Sequence, residues 1–600
     1  MPTNNMSDAD FDEVDAWFEA QEAEYEAQAT EWESQRKKKR ATAGLTLEQL
    51  TKAKGKHKYV NPETGEFEKD PVKGETEVPT LTLSPDKASL AVFGVLLLRL
   101  SANDTSDKPK LWTHNDVIWE PIGEKKVKDI IDAVIGDLSY ERGLQETLRR
   151  LRGLSERAYW NKNPFLFPCQ DGVIDLETGK IRPHSFDDYI TYTYNAKCNY
   201  LRADYDRFLF YLASTFPDIR DCLTAIDIIT KVGIRVTFET FVFLLGGGEN
   251  GKGILEKIII AMYTISRGSA IKIEELKRSH FAMGNMIDND YLIITEVETI
   301  NDVMSIIKAL ASGELQDSDV KYSTDRIKVM PHILPIIDSN KALHFTDKSR
   351  GRKRRTQKLD FPYTFGYTSD TRPKDPKLLD KLTTPESLAG ILKIIRGRAP
   401  SLIESRRIYQ RKSSEQMEAE LERQKFSFEH FTDECLSTEW TENGDAPRLK
   451  VDDAYKVYLD YCKLFNVPEP ASNSPFGRDI NKKYNLETKS TSERIDGKKV
   501  SYRYYPGLYL VKLPEKAFKE FCDSYTTDII GNTTDKPLNT TDILRMWIGE
   551  NNNSKENTTD TTDKVVLKEV LEKLAKMYKY VHSKTNSEIT FENFEKAVYA

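Results

Sequence analysis

A glycine-dense loop with a single lysine is the stretch of this sequence best suited to chemistry. It reads GGGENGK and lies between the apolar run FVFLL and an apolar-rich segment of helical length. Glycines let successive backbone N–H groups wrap phosphates, a following helix directs its positive end toward them, and the lysine reaches the outer phosphates. The predicted nucleotide-binding residues are Gly246, Gly247, Gly248, Glu249, Asn250, Gly251, Lys252, Gly253 and Ile254.

One position departs from the usual pattern of such loops. The residue after the lysine is normally Ser or Thr, whose hydroxyl binds magnesium, and here it is Gly253. Two interpretations follow. The loop supports hydrolysis with magnesium held in part through water, or it binds the nucleotide with little turnover.

Acidic and amide side chains follow two later apolar runs. In YLIITEVETI, strand alternation puts Glu296 and Glu298 on one face. Glu296 is the preferred carboxylate for holding Mg²⁺ or polarising the attacking water. Glu298 is either the second candidate for that role or a solvated charge at the strand end. In HILPIIDSNKAL, Asn340 is suited to hold a water against the γ-phosphate.

The elements that must position these residues alternate in type. From 241 to about 365, apolar strands alternate with helical stretches, which predicts an α/β domain around a largely parallel sheet. Upstream, short alternating runs punctuated by Asp171-Gly172 and Thr178-Gly179 predict a hairpin unit. Downstream, residues 449–511 combine helices with a basic hairpin turning at Asp496-Gly497.

Composition narrows the class of protein. The 600 residues are 39% hydrophobic and 30% charged, as in a water-soluble chain with several domains. Six scattered cysteines form no CxxC pair, so neither a zinc ribbon nor a disulfide frame is expected. No early apolar run resembles a signal peptide, and ASLAVFGVLLLRL is too short to span a bilayer. A cytosolic location, in a host cell or at a virus replication site, is therefore expected.

These motifs together resemble the superfamily 3 helicases. The form GxGxNGK, the short distance from the loop to the asparagine strand, and the segment QDGVIDLETGKIRPHSFDDYIT are similar to the poxvirus/phage-type primase-helicase family of viruses, phages and plasmids. The resemblance spans about 112–365. It implies an ATP hydrolase that uses ATP and Mg²⁺ and unwinds DNA in the 3′ to 5′ direction. No primase domain is evident, because about 90 residues upstream are too few for one.

Family members act as rings, usually hexamers, in which a neighbouring subunit supplies an arginine to each ATP site. The segment KSRGRKRRTQKLDF is similar to the family's arginine-finger segment. Arg354 and Arg355 are preferred because they lie closest to the following strand, with Arg350 and Arg352 as further candidates. The alternative is a basic patch that contacts phosphates.

Two basic segments are expected to contact DNA. The resemblance implies a pore hairpin in DVKYSTDRIKVMP, with Lys321, Arg326 and Lys328 as its cations. The unit after the ATPase region resembles the family's winged helix. Its candidate cations are Arg478, Lys482, Lys483, Lys498 and Lys499. Protein contact is the alternative use of such a unit.

The predicted fold is an AAA+-like α/β P-loop ATPase domain with a parallel sheet, flanked by an α+β N-terminal domain and a C-terminal winged helix. The predicted division is a charged arm and linker (1–80), the α+β domain (81–205), the ATPase domain (206–400), a helical connector (401–448), the winged helix (449–512) and a C-terminal extension (513–600). The acidic arm is either a solvated helix or a partner-docking segment.

The predicted function is replicative DNA unwinding by a homo-hexamer on single-stranded and forked DNA, beside a separate primase or polymerase and without a membrane. An origin-recognising initiator and an ATP-binding scaffold with little hydrolysis are the alternatives.

Overall fold

The structure is a computed structural model. It describes residues 98–102, 104, 108–127, 129, 144–200, 202–278, 286, 288–295, 297, 300–314, 316–319, 326–329, 332–343, 345–440, 446–495, 498–525, 561–586 and 589–598. The predicted arm and linker, 1–80, lie outside them. The chain divides into two compact units, 1–176 with 180–199, and 177–179 with 200–600.

The main elements described in the first unit are β1 (Leu98–Ser101), β2 (Leu111–His114), β3 (Trp119–Pro121), α1 (Leu144–Leu154), β4 (Glu156–Ala158), β5 (Leu166–Pro168), β6 (Val173–Asp175) and β7 (Ile181–Arg182). One sheet has the order β3-β2-β1-β4 and the other β5-β6-β7. The predicted hairpin unit is confirmed, because β6 pairs antiparallel with both β5 and β7. Trp119 is fully buried, and its indole N–H donates to the Phe186 carbonyl at 2.9 Å.

The second unit begins with the half that contains the glycine loop. In chain order its main elements are α2 (Asp206–Thr215), α3 (Ile219–Gly233), β8 (Phe241–Leu245), α4 (Lys252–Tyr263), β9 (Gly268–Lys272), α5 (Ile273–Arg278), β10 (Tyr291–Thr295), α6 (Met304–Ser312), β11 (Gln316–Asp319), β12 (Arg326–Val329), β13 (Leu334–Ser339), α7 (Arg350–Arg355), β14 (Thr356–Asp360), β15 (Phe365–Gly366), β16 (Arg372–Pro373), α8 (Leu378–Leu382) and α9 (Pro385–Ser405).

Five of these strands form a wholly parallel sheet in the order β14-β8-β13-β10-β9. The mixed α/β class with a parallel sheet is thereby confirmed. All five residues of β8 are buried, as expected for a strand covered on both faces. The register pairs Ser339 with Leu245, so β13 and β8 end at the same edge of the sheet. The chain segments that follow these two strands therefore emerge side by side.

The rest of the unit contains α10 (Ser414–Lys425), α11 (Ser427–Cys435), β17 (Leu436–Ser437), β18 (Arg448–Lys450), α12 (Val451–Leu464), α13 (Asn473–Tyr484), β19 (Lys489–Ile495), β20 (Lys498–Pro506), β21 (Tyr509–Leu510), α14 (Pro514–Asp523), α15 (Thr561–Ser583) and α16 (Phe591–Val598). Strands β18, β20 and β19 form an antiparallel sheet. It packs with α12, α13 and α14 around buried Tyr458, Tyr461, Phe476 and Tyr505.

The last long helix packs against the half that contains the glycine loop. Helix α15 packs against α2 and α9, and Val570, Leu571, Leu574 and Met577 on it are fully buried. Among the described helices, none is long and apolar enough to cross a membrane.

Candidate nucleotide site and nucleic-acid surfaces

The glycine loop, residues 246–252, joins β8 to the first turn of α4. A Cβ at Gly246 would lie 2.0 Å from Asn250 Nδ2 and 2.5 Å from the Phe361 carbonyl, so only glycine fits there. Gly251, with a φ of +94°, caps the helix in the left-handed region. Asn250 Nδ2 donates to the Phe361 carbonyl at 3.3 Å, which ties the loop to the end of β14. The loop is thus held in one shape by its own side chains.

Lys252 is buried, with 4% of its surface exposed, and its ammonium group is fully engaged. It donates to the carbonyls of Gly246 and Gly247 and to Asn340 Oδ1, the last at 3.0 Å. Burial lowers the pKa of Lys252, while the Asp338 carboxylate, 3.5 Å from Nζ, opposes that shift. The structure therefore brings together the two predicted residues Lys252 and Asn340, 88 positions apart.

Two acids beside the lysine were missed by sequence reasoning. Burial raises the pKa of Asp338, whereas Lys252 opposes the rise. Burial first, and then the charge of Asp338, raise the pKa of Glu256 to about 7. Within the part of the chain that the structure describes, Asp338 Oδ1 and Glu256 Oε1 are buried and accept no hydrogen bond. Asp338 could have been found from its place, as the one charged residue in the run ILPIID and two positions before Asn340.

The predicted acids Glu296 and Glu298 lie outside the described residues. Strand β10, which precedes them, is described as far as Thr295. It runs parallel to β13, with Ile294 paired to Ile337. The role of each glutamate stays a prediction.

The position after the lysine is open. A Cβ at Gly253 would meet no described atom within 4 Å, although the residue belongs to the first turn of α4. Steric crowding therefore does not explain why residue 253 lacks a side chain with a hydroxyl group. The oxygen donors around Lys252, from Asp338, Asn340 and Glu256, suit a hard cation such as Mg²⁺.

A different group of metal-ligating side chains lies in the first unit. Ligand atoms of Cys169, Asp171 and Cys198 fall within 4.8 Å of one another. Asp171 also accepts the backbone N–H groups of Cys198 and Asn199, at 2.8 and 3.1 Å. All six cysteines are free thiols.

The four arginines of α7 differ in burial. Arg352 is fully buried, pairs with Glu418 and lies 4.5 Å above the Phe345 ring. Arg354 keeps 65% of its side chain exposed and pairs with Glu239, which Arg355 approaches at 3.7 Å. Arg350 is exposed as well. Arg350 and Arg354 are therefore the arginines of this helix that are exposed to another molecule, and Arg354 is the one of these two that the sequence favours.

The structure contains two paired strands in the segment predicted to form the pore hairpin. Gln316–Asp319 pairs antiparallel with Arg326–Val329. Lys321 lies outside the described residues, and the side chains of Arg326 and Lys328 are outside the description too.

The cations of the C-terminal sheet and helices differ in surroundings. Arg478 and Lys482 on α13 are exposed, whereas Lys483 donates to Thr432 Oγ1 at 2.6 Å and pairs with Asp433. Lys498 and Lys499 are the first two residues of β20, and only the backbone of these two residues is described. On the same sheet, Lys450 lies 4.4 Å from the Tyr502 ring. Basic groups interleaved with aromatic rings suit a nucleic-acid strand.

Part of this chain matches a known protein family, and the chain is similar to several solved structures. Residues 105–217 match the family model described as D5 N terminal like. Among solved structures, the chain is similar to the A form of the apo NrS-1 C terminal region, with 12% identity over 68% of this chain and 95% of that chain and a TM-score of 0.36. It is also similar to the JCV helicase, with 13% identity over 36% of this chain and 64% of that chain and a TM-score of 0.22. No curated protein matches it.

Residues 105–217 therefore carry a module of the D5 N-terminal type. The predicted resemblance to the primase-helicase family of viruses, phages and plasmids is confirmed by that match.

Proposed function

We propose that this protein is an ATP-driven DNA helicase of superfamily 3 type, which unwinds duplex DNA as a ring during replication of a virus, phage or plasmid. The observation that carries the proposal is the meeting of Lys252 and Asn340 at the ends of the adjacent parallel strands β8 and β13. The strand order β14-β8-β13-β10-β9, in which the loop strand β8 lies between β14 and the asparagine strand β13, supports an AAA+-like ATPase domain.

In this proposal ATP binding exchanges the partners of Lys252. Its ammonium leaves the Gly246 and Gly247 carbonyls for the outer phosphates, while the loop N–H groups and the N-terminus of α4 hold the others. Asn340 is then released to orient the attacking water. Mg²⁺, held by Asp338 or Glu296 with water, would neutralise charge on the phosphate oxygens. Gly253 adds no ligand, so the carboxylates carry more of that task than in a loop with Ser or Thr.

The exposed arginine supports a site shared between subunits. Arg354 lies on α7, and a ring neighbour would receive it at the γ-phosphate, where charge develops in the transition state. Assembly as a homo-hexamer follows from this requirement and from the family resemblance.

DNA contact is proposed at two places. The β11–β12 hairpin, with Lys321, Arg326 and Lys328, would track a single strand in the pore. The C-terminal sheet and α13 would form a winged helix that contacts duplex or forked DNA near a separate primase or polymerase. The exposure of Arg478 and Lys482 also favours a second candidate function, an initiator that binds an origin through α13.

The deciding experiment is steady-state ATP hydrolysis by the full chain, with and without single-stranded DNA. The variants are Lys252→Ala, Gly253→Ser and, as a control, Lys463→Ala on the exposed surface of α12. We expect DNA-stimulated turnover that Lys252→Ala abolishes and Lys463→Ala leaves unchanged. ATP binding without turnover, restored by Gly253→Ser, would instead make the loop a switch. Preferential binding to one duplex sequence would favour the initiator.

A further inference from the structure

A cavity of about 610 Å³ opens beside the glycine loop. Its walls come from four parts of the second unit: the loop with the start of α4, helix α2, the segment 365–381, and the C-terminal residues 589–592. The volume falls within the range of about 300–1,000 Å³ typical of ligand pockets. Because Asn250 and Gly251 line both the cavity and the phosphate site, a ligand in one can extend into the other.

The chemistry of the walls suits a flat heteroaromatic ring. Phe210 and Tyr211 of α2 and Phe591 of α16 supply aromatic surface. Ser214 also lines the cavity; its residue is 6% exposed, and its hydroxyl makes no hydrogen bond to any described residue. An apolar aromatic slot with a buried, unpaired hydroxyl fits a purine base, which offers two π faces and hydrogen-bonding edges.

We propose that this cavity holds the purine base of the nucleotide and that the C-terminal residues 589–592 form its outer wall. The proposal rests on the proposed function, since it concerns the same ATP. It assigns to α15 and α16 a part in nucleotide binding, more than 300 residues along the chain from the loop. The triphosphate is held by the loop and Lys252, and the base by α2 and α16.

The outer wall is fixed by contacts with α2. The Phe591 ring lies 5.4 Å from Phe210 edge-to-face, and the Arg207 guanidinium is 4.4 Å from its centre on another side. Glu592 reaches Arg207 at 3.8 Å and Lys381 at 3.6 Å. These groups hold the first turn of α16 at the mouth of the cavity.

Helix α15 carries this wall and is itself anchored to α2. Tyr205 donates to Glu569 at 2.7 Å, and Lys573 pairs with Asp206 at 3.2 Å. Further along, the His582 ring lies 3.3 Å from the Phe216 carbonyl. Tyr211, which lines the cavity, donates to the Gly251 carbonyl at 3.0 Å. A continuous set of contacts therefore links the C-terminal helices through α2 to the glycine loop.

The test separates the base from the phosphates by comparing two probes, ATP and inorganic tripolyphosphate, in calorimetric titrations of the full chain. Phe591→Ala should weaken ATP binding about 10- to 100-fold, in the range of aromatic–base contacts, and leave tripolyphosphate binding unchanged. Ser214→Ala should weaken ATP selectively and to a smaller extent. Lys252→Ala should weaken both probes.

Phe594→Leu is the matched control. Phe594 belongs to the same aromatic cluster, 5.9 Å from Phe210, but is not among the residues that line the cavity. Its substitution should lower the thermal midpoint without a selective loss of ATP binding. Equal affinities for ATP in Phe591→Ala, Ser214→Ala and the natural chain would overturn the base pocket while leaving the ATPase proposal intact. A natural chain that binds neither probe would overturn both.

Discussion

The Lys252 ammonium lies 3.0 Å from Oδ1 of Asn340, the residue that directly follows the neighbouring strand. The contact exists because β8 and β13 are parallel, adjacent and in a register that ends them at one edge. Each group therefore occupies part of the other's hydrogen-bonding capacity. In the proposed function, a triphosphate draws the ammonium away, which links occupancy of the loop to release of Asn340.

Replacing Asn340 by Ala should separate binding from turnover. The Gly246 and Gly247 carbonyls still hold Lys252, so ATP affinity should change less than threefold. Loss of the group that orients the water should lower kcat by roughly 10²-fold, the scale of removing one positioned hydrogen-bonding group. Titration calorimetry and steady-state hydrolysis measure the two quantities. A weakened affinity with an unchanged kcat would assign Asn340 to ground-state binding instead.

Gly253→Ser should be accepted by the fold. Its Cβ would meet no described atom within 4 Å, and serine costs little in the first turn of a helix. We expect a thermal midpoint within about 2 °C of the natural chain and a lower Mg²⁺ concentration for half-maximal hydrolysis, because the hydroxyl adds a ligand. A Gly253→Ala variant controls for the helix itself. An identical Mg²⁺ dependence in all three proteins would show that the carboxylates alone define the metal site.

The glycine loop, the hairpins and the alternation of strands with helices that implies a parallel sheet could be predicted from local patterns. Asp338 had a sequence signal, its place as the one charged residue before Asn340, whereas Glu256 had none, because its importance comes from burial beside Asp338 and Lys252. The apolar stripe on α15, which includes Val570 and Leu574, does not identify the helices against which it packs. Nothing in the stripe specifies α2 and α9, since any complementary apolar face would satisfy it.

Glu256 predicts a pH dependence of stability. Its pKa rises from 4.5 to about 7 on folding, so the folded protein binds more protons in that window. The free energy of unfolding should therefore fall as pH rises from about 4.5 through 7, by at most about 3 kcal/mol from this group. Glu256→Gln should remove that loss and gain stability relative to the natural chain between pH 5 and pH 8. Thermal midpoints across this range measure the effect.

Glu415→Gln is the control for the Glu256 measurement, since Glu415 is exposed on α10. It should follow the natural chain at every pH. Parallel pH profiles for Glu256→Gln and the natural chain would contradict the raised pKa.

Arg354 and Arg352 should give opposite phenotypes, although they are two positions apart. Arg352→Ala leaves Glu418 without its buried partner and should destabilise the protein by about 3 kcal/mol. Arg354→Ala should fold normally and bind ATP but hydrolyse it at least 10³-fold more slowly, as loss of an arginine finger does. Mixing Arg354→Ala with Lys252→Ala subunits should restore part of the activity, because mixed rings contain sites with both groups intact. Failure of the mixture to recover any turnover would place the arginine outside the shared site.

The α13 cations provide the last prediction, with a control on the same helix. Arg478 and Lys482 are exposed, whereas Lys483 already pairs with Asp433. If α13 lies on DNA, Arg478→Ala with Lys482→Ala should weaken duplex binding and reduce the slope of log K against log salt by about 2, one unit for each lost phosphate contact. Lys483→Ala should leave that slope unchanged and lower stability slightly. Fluorescence anisotropy of a labelled duplex at several salt concentrations measures the slope. An unchanged slope in the double variant, with DNA-stimulated hydrolysis intact, would assign this surface to a protein partner.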